Sequence, residues 1–386
     1  MRAFASFPVV AMVALSLAVS PNHPARAAVI TVTSTSGATG GPDCTLRNAM
    51  TAAKFDRPAG GCPAGSGADV IELTPGATYT LFEVDNTVGF GNTGLPFLTT
   101  GTVTINGHGA TIERSRAKGT PGFRLFFLAA TASLTLNELT LTNGLAEVGE
   151  GTLRAGGAIM SFATLRLVNC TITAISSPDL GGGIYVADGS FEMVNSTVSG
   201  NDAPRGGGVY FDLPSGASAS LVNSTITDNS AEQGAGILYA IRSKSLLTLV
   251  NTIVADQRLG DDCSRDFGVL TSLGHNLDSD GTCLGDGVGS DRTGPALLGP
   301  LQDNGGPSAT HALFPCSPAV DAGDDEVCSA EVDARDQRGV SRPQGAGCDI
   351  GAFELEGGIF DPRDLNRDGR VDLLDYADFM NGFDGP

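Results

Sequence analysis

Apolar and polar residues alternate in a short segment that recurs through the middle of the chain. In most copies an asparagine follows apolar residues two and four positions earlier, as Leu165 and Leu167 precede Asn169. A period of two is typical of a β-strand with one buried face. The asparagines at 169, 195, 223 and 251 are separated by 26, 28 and 28 residues. This spacing predicts a solenoid of stacked coils.

A glycine-rich segment accompanies each asparagine segment. Its four clearest copies are residues 155–159, 181–185, 206–210 and 234–238. Glycine and asparagine tolerate tight left-handed turns, so we expect both to separate short strands. No helical pattern long enough to bridge parallel strands lies between the copies. The predicted fold is therefore all-β, a parallel β-helix whose coils lie about 4.8 Å apart, with hydrogen-bonded ladders of stacked asparagines at the turns.

Three of the repeated asparagines also begin glycosylation acceptor sequences. They are Asn169, Asn195 and Asn223, each followed two residues later by threonine. The repeat already accounts for an asparagine at these positions. We therefore favour an architectural role over glycosylation.

The N-terminal 27 residues have the pattern of a secretory signal peptide. Arg2 supplies positive charge, residues 9–19 form an apolar core, and residues 25–27 fit a small-x-small cleavage site. We expect the mature chain to start near Ala28. No later segment reaches the length of a transmembrane helix. The sequence predicts a soluble protein that is secreted or lies at the cell surface.

The composition is strongly acidic. The 386 residues carry a formal charge of −20 and include only three lysines. Such a charge argues against nucleic acid and against anionic membranes as partners. It is compatible with binding cations such as Ca²⁺.

Eight cysteines in an exported chain predict disulfides. The neighbouring pairs are Cys44 with Cys62, Cys263 with Cys283, and Cys328 with Cys348. Cys170 occupies the serine position of the repeat and is expected to be a small buried residue. Cys316 is left over and is an alternative partner for Cys328 or Cys348, so the connectivity stays open. No CxxC sequence is present, which argues against a zinc site.

Residues 28–66 are predicted to cap the first coil of the solenoid, because an open stack of strands invites aggregation. They contain a strand and then a short amphipathic helix with Asp43 as the expected N-cap. Residues 44–50, CTLRNAM, resemble the Cys-Ser-Leu-Arg-Glu-Ala motif at the start of bacterial exported β-helix proteins. Thr45 and Asn48 depart from it. The resemblance implies a right-handed, pectin-lyase-like solenoid.

The β-helix is predicted to cover residues 67–293, and residues 294–356 are predicted to close it. The order of DNGGP at 303–307, SPAVDAG at 317–323 and CDIGAFE at 348–354 resembles the terminal segment of choice-of-anchor exported proteins. The resemblance implies fold and export. His311, Arg338 and Asp349 are tempting as catalytic residues. We favour a turn-rich cap held by hydrogen bonds and a disulfide.

The sharpest chemical signal is a twelve-residue calcium loop at 364–375. Oxygen ligands fall at loop positions 1, 3, 5, 7, 9 and 12, with Gly369 at the sixth position for the sharp turn. The expected Ca²⁺ ligands are Asp364, Asn366, Asp368, Arg370 through its carbonyl, Asp372 and Asp375. Aspartate at the last position resembles a type I dockerin loop. Residues 357–386 would thus form one dockerin-like repeat, which implies a cohesin-like or cell-surface attachment partner.

Parallel β-helices include pectate lyases and polygalacturonases, but an activity has to be argued from a site. Gly107-His108-Gly109 resembles one polygalacturonase element, without the partner motifs. Asp212 and Asp228 lie near strand ends and are candidates for a sugar-facing groove. No residue is assigned as catalytic or as cofactor-binding.

Two hypotheses follow. The first is a non-enzymatic binding, adhesion or scaffold protein with a calcium-binding tail. The alternative is a polysaccharide-degrading lyase or glycoside hydrolase that carries a dockerin-like module. A concave row of aspartate and aromatic side chains along one face would favour the enzyme. A face of only serine, threonine and asparagine would favour the first hypothesis.

Overall fold

A computed structural model describes residues 27–38, 41–147, 153–285 and 287–356. The predicted signal peptide, apart from Ala27, and the predicted calcium tail lie outside these residues. The described elements are β1 (Val29–Thr31), α1 (Leu46–Phe55), β2 (Ala68–Glu72), β3 (Thr78–Leu81), β4 (Asn86–Val88), β5 (Gly91–Thr93), β6 (Leu98–Arg114), β7 (Phe126–Thr142), β8 (Ile159–Ser161), β9 (Thr164–Val168), β10 (Thr171–Thr173), β11 (Ile184–Val186), β12 (Ser190–Val194), β13 (Thr197–Ser199), β14 (Val209–Leu213), β15 (Ser218–Val222), β16 (Thr225–Thr227), β17 (Ile237–Ile241), β18 (Leu246–Val250), β19 (Ile253–Ala255), β20 (Cys263–Phe267), β21 (Thr271–Ser272), β22 (Leu277–Asp278), β23 (Arg292–Thr293), β24 (Leu298–Gln302), β25 (Thr310–Leu313) and α2 (Asp325–Ala330).

The strands build a parallel solenoid of about six turns, which confirms the predicted all-β fold. Three stacks of strands form its sides. Stack one contains β1, β2, β9, β12, β15, β18 and β21. Stack two contains β3, β10, β13, β16, β19, β22 and β23. Stack three contains β8, β11, β14, β17 and β20, and the long strands β6 and β7 bend through more than one stack.

The repeat sets the register of the coils. Thr171, Thr197, Thr225 and Ile253 pair in succession, following the 26- and 28-residue spacing. The four repeated asparagines each adopt a left-handed conformation, with φ between 46° and 53°, where the chain turns from stack one into stack two. The predicted role of asparagine as a turn residue is therefore confirmed.

The side chains of these asparagines do not form the predicted ladder with one another. Asn195 Nδ2 donates to the carbonyl of Arg335 (2.9 Å), and Asn251 Nδ2 donates to that of Asp324 (3.1 Å). The ladder lies six residues later in the repeat. Asn201 Nδ2 donates to Asn229 Oδ1 (3.0 Å), and Asn229 Nδ2 donates to Gln257 Oε1 (3.2 Å). Buried ladder amides satisfy main-chain groups of adjacent coils, whereas the left-handed asparagines face outward.

Burial also bears on the glycosylation alternative. Asn195 and Asn223 are almost completely buried between the solenoid and residues of the C-terminal segment. A glycan on either nitrogen would displace that contact. The architectural interpretation of these asparagines therefore fits the fold.

The glycine segments lie where the backbones of adjacent coils approach closely. A Cβ placed on Gly182 would be 2.2 Å from the carbonyl oxygen of Gly207 and 2.6 Å from that of Asp202. Any side chain there would push two coils apart. This contact explains why glycine recurs before the strands of stack three.

Gly182→Ala is therefore expected to lower the free energy of unfolding by at least about 2 kcal/mol, because the obstacle is backbone that cannot rotate away. The measurement is equilibrium urea unfolding followed by far-UV circular dichroism. Gly89→Ala is the control, since a Cβ there meets nothing within 4 Å, and it should change the value by less than about 0.5 kcal/mol. Equal effects in the two variants would refute the packing explanation.

The predicted short helix near the N-terminus is present as α1, and the structure corrects its N-cap residue. Thr45, not Asp43, is the N-cap, and its hydroxyl accepts the N–H of Asn48 (3.2 Å). Asn48 Nδ2 in turn donates to the carbonyl of Asp43 (2.6 Å). The helix begins at Leu46 because the hydroxyl of Thr45 accepts a main-chain N–H of the first turn. The side-chain amide of Asn48 satisfies the carbonyl of Asp43, which precedes the helix. Arg47 is buried and pairs with Asp85 (3.2 Å), which ties the helix to the first coils.

The C-terminal segment, residues 295–356, lies along the outer side of stack two. Pro307 reaches the early coils near Gly109, whereas His275 of a late coil contacts the carbonyl of Ala322 through Nδ1 (2.8 Å). The sequence predicted that these residues close the solenoid, and in the structure they lie along one of its sides. Thr171, Thr197 and Thr225, which point outward from stack two, are consequently buried, although they alternate like exposed residues.

Buried polar side chains fasten this segment to stack two. Gln337 Nε2 donates to Thr171 Oγ1 (2.9 Å), and Gln337 Oε1 accepts the hydroxyl of Thr197 (2.7 Å). The N–H of Ala352 donates to Thr225 Oγ1 (3.0 Å). Each of these three threonines thus has a hydrogen-bond partner in the segment, as buried hydroxyls require.

Three disulfides form, and they are the three neighbouring pairs. Cys44 is bonded to Cys62, Cys263 to Cys283, and Cys328 to Cys348. Cys170 is buried as predicted, and Cys316 is free and exposed. Three disulfides fit an oxidising, extracellular setting. Neither helix of the described chain has the length and apolarity to span a membrane.

Candidate functional site

The outer side of stack three carries a row of aromatic residues with charged neighbours, here called the aromatic face. It comprises Phe90, Phe97, Phe127, Phe162, Tyr185, Tyr210, Asp212, Asp266, Arg205 and Arg242. Strand pairing places Phe127, Met160, Tyr185, Tyr210 and Leu238 at one outward position of successive coils. The face therefore follows the long axis of the solenoid.

Phenylalanines form the N-terminal end of the aromatic face. The ring of Phe90 lies 5.0 Å from that of Phe162 and 5.6 Å from that of Phe127, between centroids. Lys54 Nζ lies 3.9 Å from the centroid of Phe97, within the range of a cation–π contact. Phe90 is 39% exposed. This end of the face thus offers apolar ring surface to solvent beside a cation.

Tyrosines continue the row toward the later coils. Tyr185 and Tyr210 pack edge-to-face with centroids 5.4 Å apart. Tyr210 Oη donates to Asp266 Oδ2 (2.9 Å), and Tyr185 Oη donates to Asp212 Oδ2 (3.3 Å). Burial raises the pKa of both phenols above the usual value, and the adjacent carboxylates raise it further. Both tyrosines therefore remain neutral hydroxyl donors at neutral pH.

Arginines hold the two carboxylates of the aromatic face. Arg242 Nη1 lies 3.1 Å from Asp212 Oδ1, and Arg205 forms an ion pair with Asp266. The guanidinium of Arg205 also lies 5.8 Å from the ring centroid of Tyr210. Tyrosine, carboxylate and arginine thus form two fixed groups of the same composition. Chemically, the face combines apolar rings with fixed hydrogen-bonding groups.

The outer side of stack one has a different chemistry. Many of its outward positions are hydroxyl residues, among them Thr102, Thr164 and Ser218, which are exposed. An ion pair between Arg166 and Glu192 lies on the same side. Ser190 Oγ donates to Thr164 Oγ1 across adjacent coils (3.1 Å). The solenoid therefore has one hydroxyl side, one side covered by the C-terminal segment and one aromatic side.

The structure separates the residues that the sequence grouped as candidates. Asp212 lies on the aromatic face, but Asp228 follows a strand of stack two and pairs with Arg258 (3.3 Å). His108 is bonded to Glu72 through Nε2 (2.7 Å) at a bend between stacks one and two. The predicted calcium ligands, Asp364 to Asp375, lie outside the described residues.

His311 forms a serine–histidine pair, with geometry that resembles a catalytic dyad. Its Nε2 lies 2.8 Å from Ser199 Oγ, and its Nδ1 lies 2.7 Å from the carbonyl of Gly299. Ser199 is completely buried, and burial also lowers the pKa of His311. No substrate atom can reach a hydroxyl enclosed in this way. The pair fastens the C-terminal segment to stack two.

Arg338 and Asp349 belong to a second buried network in the C-terminal segment. Arg338 Nε donates to Asp336 Oδ2 (2.8 Å), and its guanidinium lies 3.7 Å from the ring centroid of Phe353. Asp349 Oδ1 accepts the N–H of Asp321 (2.8 Å). These contacts lie within the segment. They fit the interpretation of His311, Arg338 and Asp349 as parts of a cap better than a catalytic one.

Three aspartates cluster beside the Cys263–Cys283 disulfide. One carboxylate oxygen from each of Asp262, Asp278 and Asp280 lies within 4.8 Å of the others. Burial raises the pKa of Asp262 to about 7, and the negative charges of Asp280 and Asp278 also raise it. The hydrogen bond from the hydroxyl of Ser279 lowers the pKa and opposes part of this effect. Asp278 Oδ2 accepts the main-chain N–H of Cys283 (2.8 Å) and Asp262 Oδ2 accepts that of Ser279 (2.8 Å). Main-chain N–H groups therefore already bind an oxygen of both Asp262 and Asp278.

A polar cavity of about 250 Å³ lies at the seam between the asparagine turns and the C-terminal segment. Arg166, Asn169 and Asn195 line it from the solenoid. Glu331 and Asp333 line it from the segment. Its charges are mixed, so it selects no ligand class as clearly as the aromatic face does.

Sequence reasoning missed most of the aromatic face. A signal was present, because Tyr185 and Tyr210 follow the glycines at the same position of consecutive repeats. Phe90 and Asp266 had no such signal. They lie outside the clean repeats and reach the face only through the folding of the coils.

The fold and the aromatic face define a parallel β-solenoid with one aromatic side. Searches against protein-family models, curated proteins and solved structures find no match to this chain. Its function is therefore inferred from its own residues.

Proposed function

We propose that this chain is an exported binding protein whose aromatic face binds polysaccharide, with a non-enzymatic role in adhesion or scaffolding. The observation that supports the proposal most is the row from Phe90 to Tyr210 along one side of the solenoid. A polysaccharide is a linear ligand with apolar C–H faces and hydroxyls. Phe90 offers exposed ring surface at one end of this row, whereas Tyr185 and Tyr210 are each only 5% exposed. Beside these two tyrosines the carboxylates and guanidinium groups offer hydrogen-bonding groups to the hydroxyls of a sugar chain.

The two ends of the aromatic face would contribute differently. Phe90 and Phe162 offer ring surface, and truncating a central aromatic residue commonly costs about 2 kcal/mol of binding. The tyrosine end is ordered before any ligand arrives, because Tyr185 and Tyr210 are fixed by carboxylates. Preorganised groups lose little entropy on binding.

The same contacts favour binding over cleavage. Asp212 and Asp266 are each ion-paired with an arginine and accept a tyrosine hydroxyl. A glycosidase needs one carboxylic acid to protonate the leaving oxygen and a second carboxylate on the other side of the bond. On the aromatic face both carboxylates instead act as acceptors within fixed ion pairs.

Phe90→Ala and Phe162→Ala are each expected to weaken polysaccharide binding roughly thirtyfold, the loss that corresponds to about 2 kcal/mol. The measurement is depletion of the protein from solution by insoluble acidic and neutral polysaccharides, with bound fractions fitted to Kd. Far-UV circular dichroism should show an unchanged fold, since Phe90 is partly exposed.

Phe82→Ala is the matched control. Phe82 is 43% exposed, close to Phe90, but lies outside the aromatic face. Its Kd should change by less than about twofold. Equal losses in all three variants, or no binding to any polysaccharide by the parent protein, would overturn the proposed ligand.

The proposal includes calcium binding by the dockerin-like tail, which rests on the sequence of residues 364–375. Asp364→Ala removes the first ligand of the loop and is expected to raise the Kd for Ca²⁺ by at least tenfold, because carboxylate ligands set the affinity of such loops. Isothermal titration calorimetry measures this directly. Polysaccharide binding through the aromatic face should be unaffected by this variant and by chelation. Retained affinity for Ca²⁺ in Asp364→Ala would refute the loop assignment.

The enzymatic alternative has two observations in its favour. The first is the aromatic face itself, because a row of aspartate and aromatic side chains is the arrangement expected of an enzyme; the second concerns a pair of carboxyl groups. The pKa of Asp262 is raised to about 7 while that of the adjacent Asp280 is lowered, the kind of separation that acid and base carboxylates show. Release of reducing ends or of unsaturated sugars from the same polysaccharides would reveal this activity. Cleavage that is lost in Asp262→Asn but kept in Asp364→Ala would establish the enzyme and displace the binding proposal.

A further inference from the structure

Asp69 is a buried carboxylate at a position where the solenoid otherwise places apolar side chains. It occupies the inward row of stack one, in register with Val103, which pairs in turn with Leu134. Asp69 is only 1% exposed. Burying a charge without a counter-charge is costly, so this position needs an explanation.

The hydrogen bonding of Asp69 is incomplete. Its Oδ1 accepts the N–H of Ser66 (2.7 Å) and the N–H of Ala28 (3.2 Å). Its Oδ2 is buried and has no hydrogen-bond partner. Within the part of the chain that the structure describes, Asp69 forms no ion pair with any lysine, arginine or histidine. Asp69 Oδ2 can therefore still accept a donor.

The nitrogen that approaches Asp69 belongs to the residue that follows the predicted signal cleavage site. Residues 25–27 fit the small-x-small pattern, which ends directly before Ala28. Ala28 is held in place because its carbonyl accepts the N–H of Val70 (2.8 Å), and β1 starts at the next residue. Ala27 is exposed. The nitrogen of the predicted scissile bond is therefore the same nitrogen that donates to the buried carboxylate of Asp69.

We propose that cleavage between Ala27 and Ala28 turns this nitrogen into an α-ammonium group that forms a buried ion pair with Asp69 and locks the first coil. A signal peptidase hydrolyses the bond with one water. The hydroxyl of that water completes the Ala27 carboxyl group, one hydrogen goes to the Ala28 nitrogen, and a solvent proton completes the ammonium. A peptide nitrogen offers Asp69 one donor without charge, whereas the ammonium offers three with charge and can serve Oδ2 as well.

The proposal rests on the export part of the proposed function and is independent of the ligand of the aromatic face. It assigns Asp69 a role in maturation. The chain would reach full stability only after the leader has been removed, which couples processing to the closure of the N-terminal cap.

Two forms of the chain test the proposal. One begins at Ala28, and the other retains Ala27 as a single additional residue, so both have one free amine and differ only in where it lies. In urea unfolding, Asp69→Asn should lower the equilibrium constant for folding roughly five-hundredfold in the Ala28 form, the scale of a lost buried ion pair. In the Ala27 form the loss should be less than about fivefold, because there the ammonium is displaced. Asp43→Asn, at an exposed carboxylate of the same cap, should have less than a twofold effect in both forms.

Amine labelling gives a second measurement if Asp69→Asn does not fold. With an acylating reagent, the Ala28 amine of the parent chain should react at least tenfold more slowly than the Ala27 amine, because a paired ammonium releases its proton less readily. Only three lysines compete for the reagent. Equal labelling rates, equal effects of Asp69→Asn in the two forms, or an exported product that starts at a residue other than Ala28 would each overturn the inference. Failure of polysaccharide binding would leave it unaffected.

Discussion

Replacing Asn229 by alanine is expected to lower the free energy of unfolding by about 3–5 kcal/mol, because several buried polar groups lose their partner together. Asn229 Oδ1 accepts the main-chain N–H of Asn201 (3.1 Å) and its side-chain amide (3.0 Å). The two N–H groups of Asn229 Nδ2 are shared among three acceptors, the carbonyls of Val198 and Thr227 (3.0 Å each) and Gln257 Oε1. Asn229 is completely buried, so water cannot take over these bonds without opening the coil.

Equilibrium urea unfolding followed by circular dichroism measures this loss. Ser218→Ala is the control, because Ser218 lies exposed on the outer side of stack one, and it should change the free energy by less than about 0.5 kcal/mol. Hydrogen exchange should show the loss of protection centred on the coils that contain residues 201, 229 and 257, because each coil of a solenoid depends on its neighbours. A loss below 1 kcal/mol for Asn229→Ala would show that the ladder is not a main source of stability.

Arg342→Met is expected to cost about 3–5 kcal/mol at pH 8, since removing one partner of a buried ion pair leaves the other charge uncompensated. Arg342 lies 3.6 Å from Glu354 through Nη1 and donates to the carbonyls of Asp349 (2.8 Å) and Gly351 (2.7 Å). Glu354 is completely buried. The variant retains a long apolar side chain, so the loss reports mainly on charge and hydrogen bonding.

The cost of Arg342→Met should decrease as the pH falls. Burial raises the pKa of Glu354 to about 7, and the charge of Asp349 raises it further. A carboxyl group with a raised pKa takes up a proton on folding, so its contribution to stability falls as the pH rises from about 4.5 to about 7. At pH 5 Glu354 is therefore neutral in the folded chain and needs no counter-charge. The expected loss at pH 5 is less than half of that at pH 8.

Urea unfolding of parent and variant at pH 5 and pH 8 tests both statements. Arg258→Met, which removes an exposed pair with Asp228, is the control and should cost less than about 1 kcal/mol at either pH. Native-state hydrogen exchange should place the change in residues 295–356, while stack one stays protected. A loss that does not depend on pH would refute the role assigned to Glu354.

The sequence alone predicted the architecture because the architecture repeats. Each coil presents the same alternation to the same core, so the pattern around Asn169 recurs at Asn195, Asn223 and Asn251. The conformation of these asparagines follows from intrinsic preference, since few residues adopt a positive φ easily. The disulfides could also be predicted from the sequence, because partners only 18 to 20 residues apart leave few alternative pairings.

The tertiary structure decided everything that depends on which outer side of the solenoid is covered. Alternation along a strand separates inward from outward residues, and it carries no information about what an outward residue meets. The alternation therefore does not distinguish Thr171 and Thr197 from exposed residues, although Gln337, more than 130 residues later, lies against both. For the same reason, the sequence did not show that Ser199 and His311 lie in contact.

The candidate site divides in the same way. The calcium loop was predicted from its spacing because its ligands are consecutive in the chain, and that prediction stays open. The aromatic face joins Phe90, Tyr210 and Asp266, which only the stacking of coils brings to one side. The contact of Ala28 with Asp69 likewise depends on β1 lying beside β2. Local sequence thus determined the repeating unit, and packing between distant segments determined the surfaces on which function depends.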